Sequence, residues 1–147
     1  MAHVSKSALV AYTPAEMYAL VDDIERYPEF LPWCGSTHIH ERGDDQVRAS
    51  IDIRYGALQR SFTTQNRMQP GKMIEVKLVE GPFRRLEGFW RFEPLGESAC
   101  KVVFDLEFDF AGALVSMTLG PVFSQIANTM VDGFAKRAIE VYGKRTV

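Results

Sequence analysis

The chain has 147 residues, of which 46% are apolar and 24% are charged, and its formal net charge at pH 7 is −2. This balance predicts one globular domain over residues 1–147 with a sizeable core, and it excludes wholesale disorder. The chain lacks the overall positive charge that marks many nucleic-acid-binding proteins. It also lacks any apolar run of about 18 residues, the length that spans a membrane.

The first predicted elements are a strand and a helix. Residues 3–12 alternate imperfectly between apolar and polar side chains, which indicates a strand. Thr13, Pro14 and Glu16 then predict a helix over residues 14–21. Thr is a good N-cap, Pro suits the first helical position, and Glu completes a capping box.

A short helical stretch and an aromatic-rich segment follow. Asp22 and Asp23 restart a helix that we expect to end around Tyr27 and Pro28. Residues 28–34 are bounded by prolines and hold Phe, Leu and Trp, which predicts a loop or a single turn.

Between about residues 36 and 110 the pattern has a period of two. Turn signals fall at residues 43–45, 56, 70–71, 81–82 and 94–96. The alternation is clearest at the end of this region, where apolar and acidic residues take opposite faces: Phe104, Leu106, Phe108 and Phe110 against Asp105, Glu107 and Asp109. The pattern predicts an antiparallel meander of six strands with one buried face.

The last predicted element is one long amphipathic helix over residues 121–142. Its apolar side chains share about a third of the helix circumference: Leu119, Phe123, Ile126, Ala127, Met130, Phe134, Ala138 and Val141. Such a helix is about 33 Å long, close to the length of a ten-residue strand, so it can lie along the sheet. Gly133, at the edge of this stripe, would allow a close approach to the sheet.

These elements predict an α+β fold in the order β-αα-β6-α. A curved antiparallel sheet of about seven strands would wrap around the C-terminal helix. Because a curved sheet and a straight helix do not fit along their whole length, we expect an apolar cavity between them.

Four sequence blocks carry a resemblance to a known family. They are residues 21–34, residues 80–83 with 86–92, residues 105–108, and residues 119–123 continuing to 130–138. In this order they resemble the coenzyme Q-binding proteins and ribosome-association toxins of the START-like superfamily, which has the helix-grip fold and includes polyketide cyclases. The segment from Tyr27 to Cys34 is the most specific. No mitochondrial leader precedes the first strand, which favours a bacterial-type member.

The resemblance implies a non-catalytic, START-like lipid-binding domain. It would hold ubiquinone, or a related polyprenyl quinone, as a bound ligand and support respiratory electron transport. One alternative is a ribosome-binding toxin that blocks subunit association, and another is a polyketide cyclase or aromatase. We expect a monomer in the cytoplasm with peripheral contact to the inner membrane, no required cofactor and no DNA partner.

The predicted ligand-binding residues follow from the cavity and the resemblance. The cavity lining would consist of inward aromatic, Ile and Met side chains: Ile51, Ile53, Phe62, Trp90, Phe104, Phe108, Phe123, Met130 and Phe134. The alternative for the same residues is plain core packing. Headgroup or lid residues would be Phe30, Trp33, Arg60, Asn66 and Arg137, with Thr64 on the same strand face. The alternatives are that residues 28–34 plug one end of the sheet and that Arg137 pairs with a carboxylate such as Glu107.

Metal, catalytic and RNA-binding sites have weaker support in the sequence. His38 and His40 would share one side of a strand, but spacing marks no third ligand, so no metal site is predicted. No nucleophile motif or phosphate loop is present, and a cyclase would have only Tyr55 and Arg60 as inward polar candidates. Ribosomal RNA would need cationic clusters, for which the candidates are Lys136, Arg137, Lys144, Arg145, Arg84 and Arg85.

The two cysteines, Cys34 and Cys100, are too few and too far apart in sequence for the disulfide framework of a small secreted domain. We therefore expect reduced, at least half-buried thiols, as in a cytoplasmic protein. The N-terminal residues show no export or import signal.

Overall fold

The computed structural model describes residues 2–146, and its elements are ordered as the sequence predicts. In chain order they are β1 (Ala2–Val10), α1 (Pro14–Asp22), a 3-10 turn (Ile24–Arg26), α2 (Tyr27–Phe30), β2 (Cys34–Arg42), β3 (Gln46–Tyr55), β4 (Leu58–Gln69), β5 (Met73–Glu80), β6 (Phe83–Leu95), β7 (Ala99–Phe110) and α3 (Ala113–Tyr142). The predicted α+β fold, a curved seven-stranded sheet with a long C-terminal helix, is confirmed.

The sheet is antiparallel, in the order β1-β7-β6-β5-β4-β3-β2. Strands β2 to β7 form a meander, and β1 joins its far edge by pairing with β7, with Val4 opposite Leu106. Register shifts interrupt β2, the end of β5 and the start of β6. Such bulges bend strands, and the bent sheet faces α3 with one side.

Helix α1 begins as predicted. The Thr13 hydroxyl accepts a hydrogen bond from the Glu16 amide at 3.1 Å, and the Thr13 amide donates to the Glu16 carboxylate at 2.9 Å. Pro14 occupies the first turn. Two of the backbone N–H groups that a helix start leaves unpaired are therefore satisfied by a four-residue sequence motif.

The region after α1 is more helical than predicted. Residues 28–34 were expected to form a loop or single turn, but Pro28 lies in the first turn of α2. Proline is compatible there because its fixed φ suits a helix start and its missing N–H would have no helical partner. Cys34 then opens β2 directly, so little loop remains.

Helix α3 begins at Ala113, earlier than the predicted start at residue 121, and contains Pro121. Proline within a helix removes the N–H that would bond to the carbonyl four residues back, here the carbonyl of Met117, a residue on the exposed side of the helix. Val141, predicted on the buried stripe, is exposed, and Val131 is buried instead. Gly133 makes its close approach to Leu31, next to α2, rather than to the sheet.

The core lies between the inner face of the sheet and α3, with α1 and α2 closing one side. Edge-to-face ring pairs join the layers, such as Phe123 with Phe108 at 4.9 Å between centroids and Phe134 with Trp90 at 5.2 Å. Within residues 2–146, no helix is long and apolar enough to cross a membrane.

Candidate functional site

An apolar cavity of about 80 Å³ lies between the sheet and α3. Its walls come from the inner sheet face, from α1 and the turn after it, and from the middle of α3. The lining includes six of the side chains that the sequence predicts there: Ile51, Phe62, Trp90, Phe104, Phe123 and Met130. The cavity that we expected between the curved sheet and the straight helix is therefore present, but it is small.

The predicted lining residues divide into two groups. The six just named lie on the cavity, and whether they contact a ligand stays a prediction. Ile53, Phe108 and Phe134 do not line it, and each is 0% exposed. These three lie in the core cluster, which is the alternative that the sequence left open, and their contact with a ligand stays a prediction.

Aromatic packing explains why the cavity is short. Phe134 is packed among three rings, those of Tyr27, Phe30 and Trp90, with centroids 5.2–5.4 Å away. At the other end, toward the start of α3, a second ring cluster closes the space: Phe62, Phe83, Phe108, Phe110 and Phe123. Both ends of the sheet–helix interface are therefore solid core.

Two polar side chains of β4 reach the cavity. The Thr64 hydroxyl donates to the Asn66 carboxamide oxygen at 2.9 Å, and both residues are buried. The Asn66 carboxamide nitrogen makes no hydrogen bond with the described residues, and since no fully buried side-chain nitrogen or oxygen there lacks a partner, this nitrogen borders open space rather than packed core. A carbonyl oxygen entering the cavity could accept from this nitrogen.

The two predicted headgroup arginines lie elsewhere. Arg137 donates to the Glu29 carboxylate at 3.0 Å and stacks over the Phe30 ring at 4.9 Å, outside the cavity. Arg60 is exposed and donates to the carbonyl of Gln59. Neither guanidinium lies on the cavity wall, in keeping with the preference of a guanidinium for a rim position that offers a carboxylate or water, and their contact with a ligand headgroup stays a prediction.

The aromatic segment after α1 plugs the sheet rather than forming an exposed lid. Trp33 is 8% exposed and lines the cavity, and Phe30 is half-buried beneath Arg137. Tyr27 is buried and donates its hydroxyl to the Val21 carbonyl at 2.6 Å. Burial raises the pKa of the Tyr27 hydroxyl far above its ordinary value, with smaller effects from nearby acidic groups. This tyrosine therefore stays neutral.

The remaining sequence candidates form no enclosed site. His38 and His40 are exposed on β2 with ring centroids 4.5 Å apart, and His40 bonds the Ser50 hydroxyl. In the part of the chain that the structure describes, no three His, Cys, Asp or Glu side chains cluster as metal ligands. Cys34 and Cys100 are free and buried, and burial raises the pKa of each thiol to about 11.

Sequence reasoning missed part of the cavity wall. Val21, Ile24 and Tyr27, in and just after α1, line it. Their spacing at three residues was the available signal, since it puts them on one helical face. Leu86 and Leu106 are also in the wall and could be identified from the strand alternation alone.

The family match covers most of these elements. A family described as polyketide cyclase / dehydrase and lipid transport matches residues 10–135. The chain belongs to this family. The match begins at the end of β1 and extends into the C-terminal half of α3, so it includes every wall of the cavity.

Several curated relatives match along nearly the whole chain. A Pseudomonas aeruginosa protein named ribosome association toxin RatA is 49% identical over 96% of this chain and 98% of its own length. The Escherichia coli K12 protein of that name is 40% identical over 99% and 92%. A Xenopus laevis mitochondrial coenzyme Q-binding protein COQ10 homolog B is 26% identical over 97% of this chain and 60% of its own length.

Solved structures show the same fold. The Caulobacter crescentus 18 kDa protein CC1736 is 32% identical over 98% of this chain and all of its own, with a TM-score of 0.76. The Zhui aromatase/cyclase from Streptomyces is 16% identical over 98% of this chain and 99% of its own, with a TM-score of 0.83. At that identity, the second comparison bears on the fold alone.

Proposed function

We propose that this protein acts on the ribosome and hinders association of the ribosomal subunits, as the names of its closely similar relatives suggest. The supporting observation is 49% identity over nearly the full length of both chains to a protein named ribosome association toxin. Such a role would place it in the cytoplasm. It requires no catalytic step, and we accordingly propose a binding protein rather than an enzyme.

The cavity volume also favours a surface function over a carrier function. Pockets that bury drug-sized ligands have volumes of about 300–1,000 Å³. The cavity here is about 80 Å³. A quinone with a polyprenyl tail would fit only if α3 or α2 moved away from the sheet, at the expense of the ring contacts around Phe134.

Cationic side chains at the end of α3 are the proposed contact with ribosomal RNA. Arg137 and Arg145 are held by Glu29 and Glu16 at 3.0 and 2.8 Å. Lys136 and Lys144 are exposed and make no ion pair with the described residues. RNA phosphates would therefore meet two free ammonium groups beside two neutralised arginines.

The test compares ribosome profiles on sucrose gradients with and without added protein. We expect free subunits to accumulate at the expense of assembled ribosomes. The charge-reversal pair Lys136→Glu with Lys144→Glu should abolish the effect, whereas Lys6→Glu with Lys72→Glu, also exposed lysines, should not. An unchanged profile with the unaltered protein would overturn the proposal.

A second candidate function is binding of ubiquinone or another polyprenyl lipid. It rests on one observation, an apolar cavity whose wall includes the hydrogen-bonded Thr64–Asn66 pair. A quinone carbonyl could accept from Asn66, and the start of the tail would lie against Trp90 and Phe104.

The test is mass spectrometry of lipid extracted from protein purified from a quinone-producing host. Asn66→Leu should reduce the amount of quinone recovered, while Gln65→Leu, on the neighbouring outward position of β4, should leave it unchanged. Absence of quinone from the unaltered protein, together with failure to bind added long-tail quinone, would exclude this function and leave the ribosome proposal standing.

A further inference from the structure

Two histidines at the edge of the sheet take part in neither proposed function. His38 and His40 lie on β2, an edge strand, and both side chains are exposed. Because side chains alternate along a strand, residues two apart project from the same side. A closed structural zinc site takes four protein ligands, so this pair is too small for one. An open site needs fewer protein ligands, because water completes the coordination of the ion.

A β-bulge brings the two rings together. Ile39 lies opposite Ala49, but the adjacent residue of β3 pairs with Glu41, so His40 is the extra residue of β2. Bulges of this kind re-aim a side chain. Alternate residues of a regular strand are about 6.8 Å apart, whereas the ring centroids of His38 and His40 are 4.5 Å apart. The bulge therefore turns one ring toward the other.

The separation of the rings matches two imidazoles bound to one ion. A bound imidazole nitrogen lies about 2.0 Å from a first-row divalent ion, which places the ring centroid about 3.2 Å from it. Two such centroids are about 4.5 Å apart when the nitrogen–metal–nitrogen angle is about 90°, and about 5.2 Å apart at the tetrahedral angle. The observed 4.5 Å fits the smaller angle. That angle is typical of tetragonal Cu²⁺ and Ni²⁺, and the larger one of Zn²⁺.

A pair of hydroxyl groups behind His40 can fix which ring nitrogen carries the proton. His40 Nε2 lies 2.6 Å from the Ser50 hydroxyl, which lies 2.6 Å from the hydroxyl of the buried Thr63. When Ser50 donates to Thr63, its oxygen can accept from Nε2–H, and Nδ1 keeps its lone pair for an ion. Metal-binding histidines almost always donate their other N–H in this way. The exposed His38 ring can turn a nitrogen toward the same point.

We propose that His38 and His40 form an open chelate for one Cu²⁺ ion, and more weakly for Ni²⁺, with Ser50 orienting the His40 ring and water in the remaining positions. Imidazole nitrogen suits both ions, and the general order of divalent affinities places Cu²⁺ above Ni²⁺ and Zn²⁺. None of these three residues lines the cavity or belongs to the cationic group at the end of α3. The proposal therefore stands apart from both proposed functions.

The test is titration of the full chain with Cu²⁺, followed by calorimetry and by electron paramagnetic resonance. The chain has three histidines, so every sample carries His3→Asn and the pair supplies the only imidazoles. We expect one Cu²⁺ per chain and hyperfine splitting from two nitrogens. Ser50→Ala, which removes only the partner of His40, should weaken binding about tenfold. His38→Asn and His40→Asn each remove a ligand, so each should weaken binding further and leave splitting from one nitrogen.

The matched control is Ser36→Ala. Ser36 is exposed on the same side of β2, two residues before His38, and lies opposite Asp52. This variant should bind Cu²⁺ like the parent, and circular dichroism should show all variants folded. A spectrum without nitrogen splitting, or equal binding after both histidines are replaced, would mean an adventitious ion only and would overturn the proposal. Tighter binding of Zn²⁺ than of Ni²⁺ would also overturn it, because the pair would then favour the tetrahedral angle.

Discussion

Phe134→Ala should be the most destabilising single truncation at the sheet–helix interface. Phe134 is fully buried, and three rings, those of Tyr27, Phe30 and Trp90, pack edge-on against it at 5.2–5.4 Å. Removing a buried phenyl ring typically costs about 3–5 kcal/mol. We expect the upper part of this range, because Tyr27 and Trp90 also line the cavity and the new void would join it.

The assay is equilibrium unfolding in urea followed by circular dichroism. With a slope of about 2 kcal/mol per molar urea, a loss of about 4 kcal/mol lowers the midpoint by roughly 2 M. Phe89→Ala is the matched control, since Phe89 lies half-buried on the outer face of the same sheet, with Arg91 over its ring at 5.5 Å. Phe89→Ala should lower the free energy of unfolding by less than about 1 kcal/mol.

Equal losses for Phe134→Ala and Phe89→Ala would refute the reasoning, because they would mean that burial against α3 contributes nothing special. A loss below about 1 kcal/mol for Phe134→Ala would refute it too, by showing that the surrounding rings collapse into the space. Uptake of benzene by the Phe134→Ala variant, and not by the Phe89→Ala variant, would show that the void joins the cavity and stays dry.

Three further predictions concern the thiols, a close backbone contact and a cap. Because Cys34 and Cys100 are buried, and burial also raises the pKa of each thiol to about 11, a thiol reagent at pH 7 should label them only as fast as the protein opens or unfolds, and a rapid native-state phase would contradict this. Gly88→Ala should lower the free energy of unfolding, measured in urea, by about 1–3 kcal/mol or more, because the alanine Cβ would collide with the backbone of β7. An unchanged urea midpoint would show that the two strands move apart freely. The hydrogen bond from the Arg145 guanidinium has the largest effect in lowering the pKa of Glu16, and the hydrogen bond from the N-cap amide of Thr13 adds to it. The Glu16 carboxylate therefore contributes its full stabilisation above the ordinary pKa of 4.5, and this stabilisation is lost as the pH falls through the lower folded-state pKa. Glu16→Gln should therefore flatten the acid limb of a stability–pH curve, and an identical limb would exclude the pair as its source.

Local signals were sufficient where the structure depends on neighbours in sequence. The Thr13–Glu16 capping box, the turn positions and the alternation along β7 are all confirmed, because each depends on residues a few positions apart. The start of α3 was predicted too late because Pro121 resembles a helix start, and nothing local shows that a helix continues through it.

The candidate site depended more on tertiary packing. Periodicity identified which side chains point inward, but it could not separate Trp90, which lines the cavity, from Phe108, which is solid core. That difference depends on how closely α3 approaches each strand. Arg137 shows the same limit, since its partner Glu29 lies far away in sequence and meets it only when α2 packs on α3.

By itself, the sequence determined the order of elements and the inward face of strands such as β6 and β7, because side-chain periodicity and local caps follow from neighbouring residues. The resemblance of four sequence blocks indicated the family. Only the tertiary structure decided the rest. The abundant Phe, Trp and Met side chains pack mainly as core around a cavity of about 80 Å³. Leu114 and Met117 lie exposed on the first turns of α3, which local periodicity alone could not show.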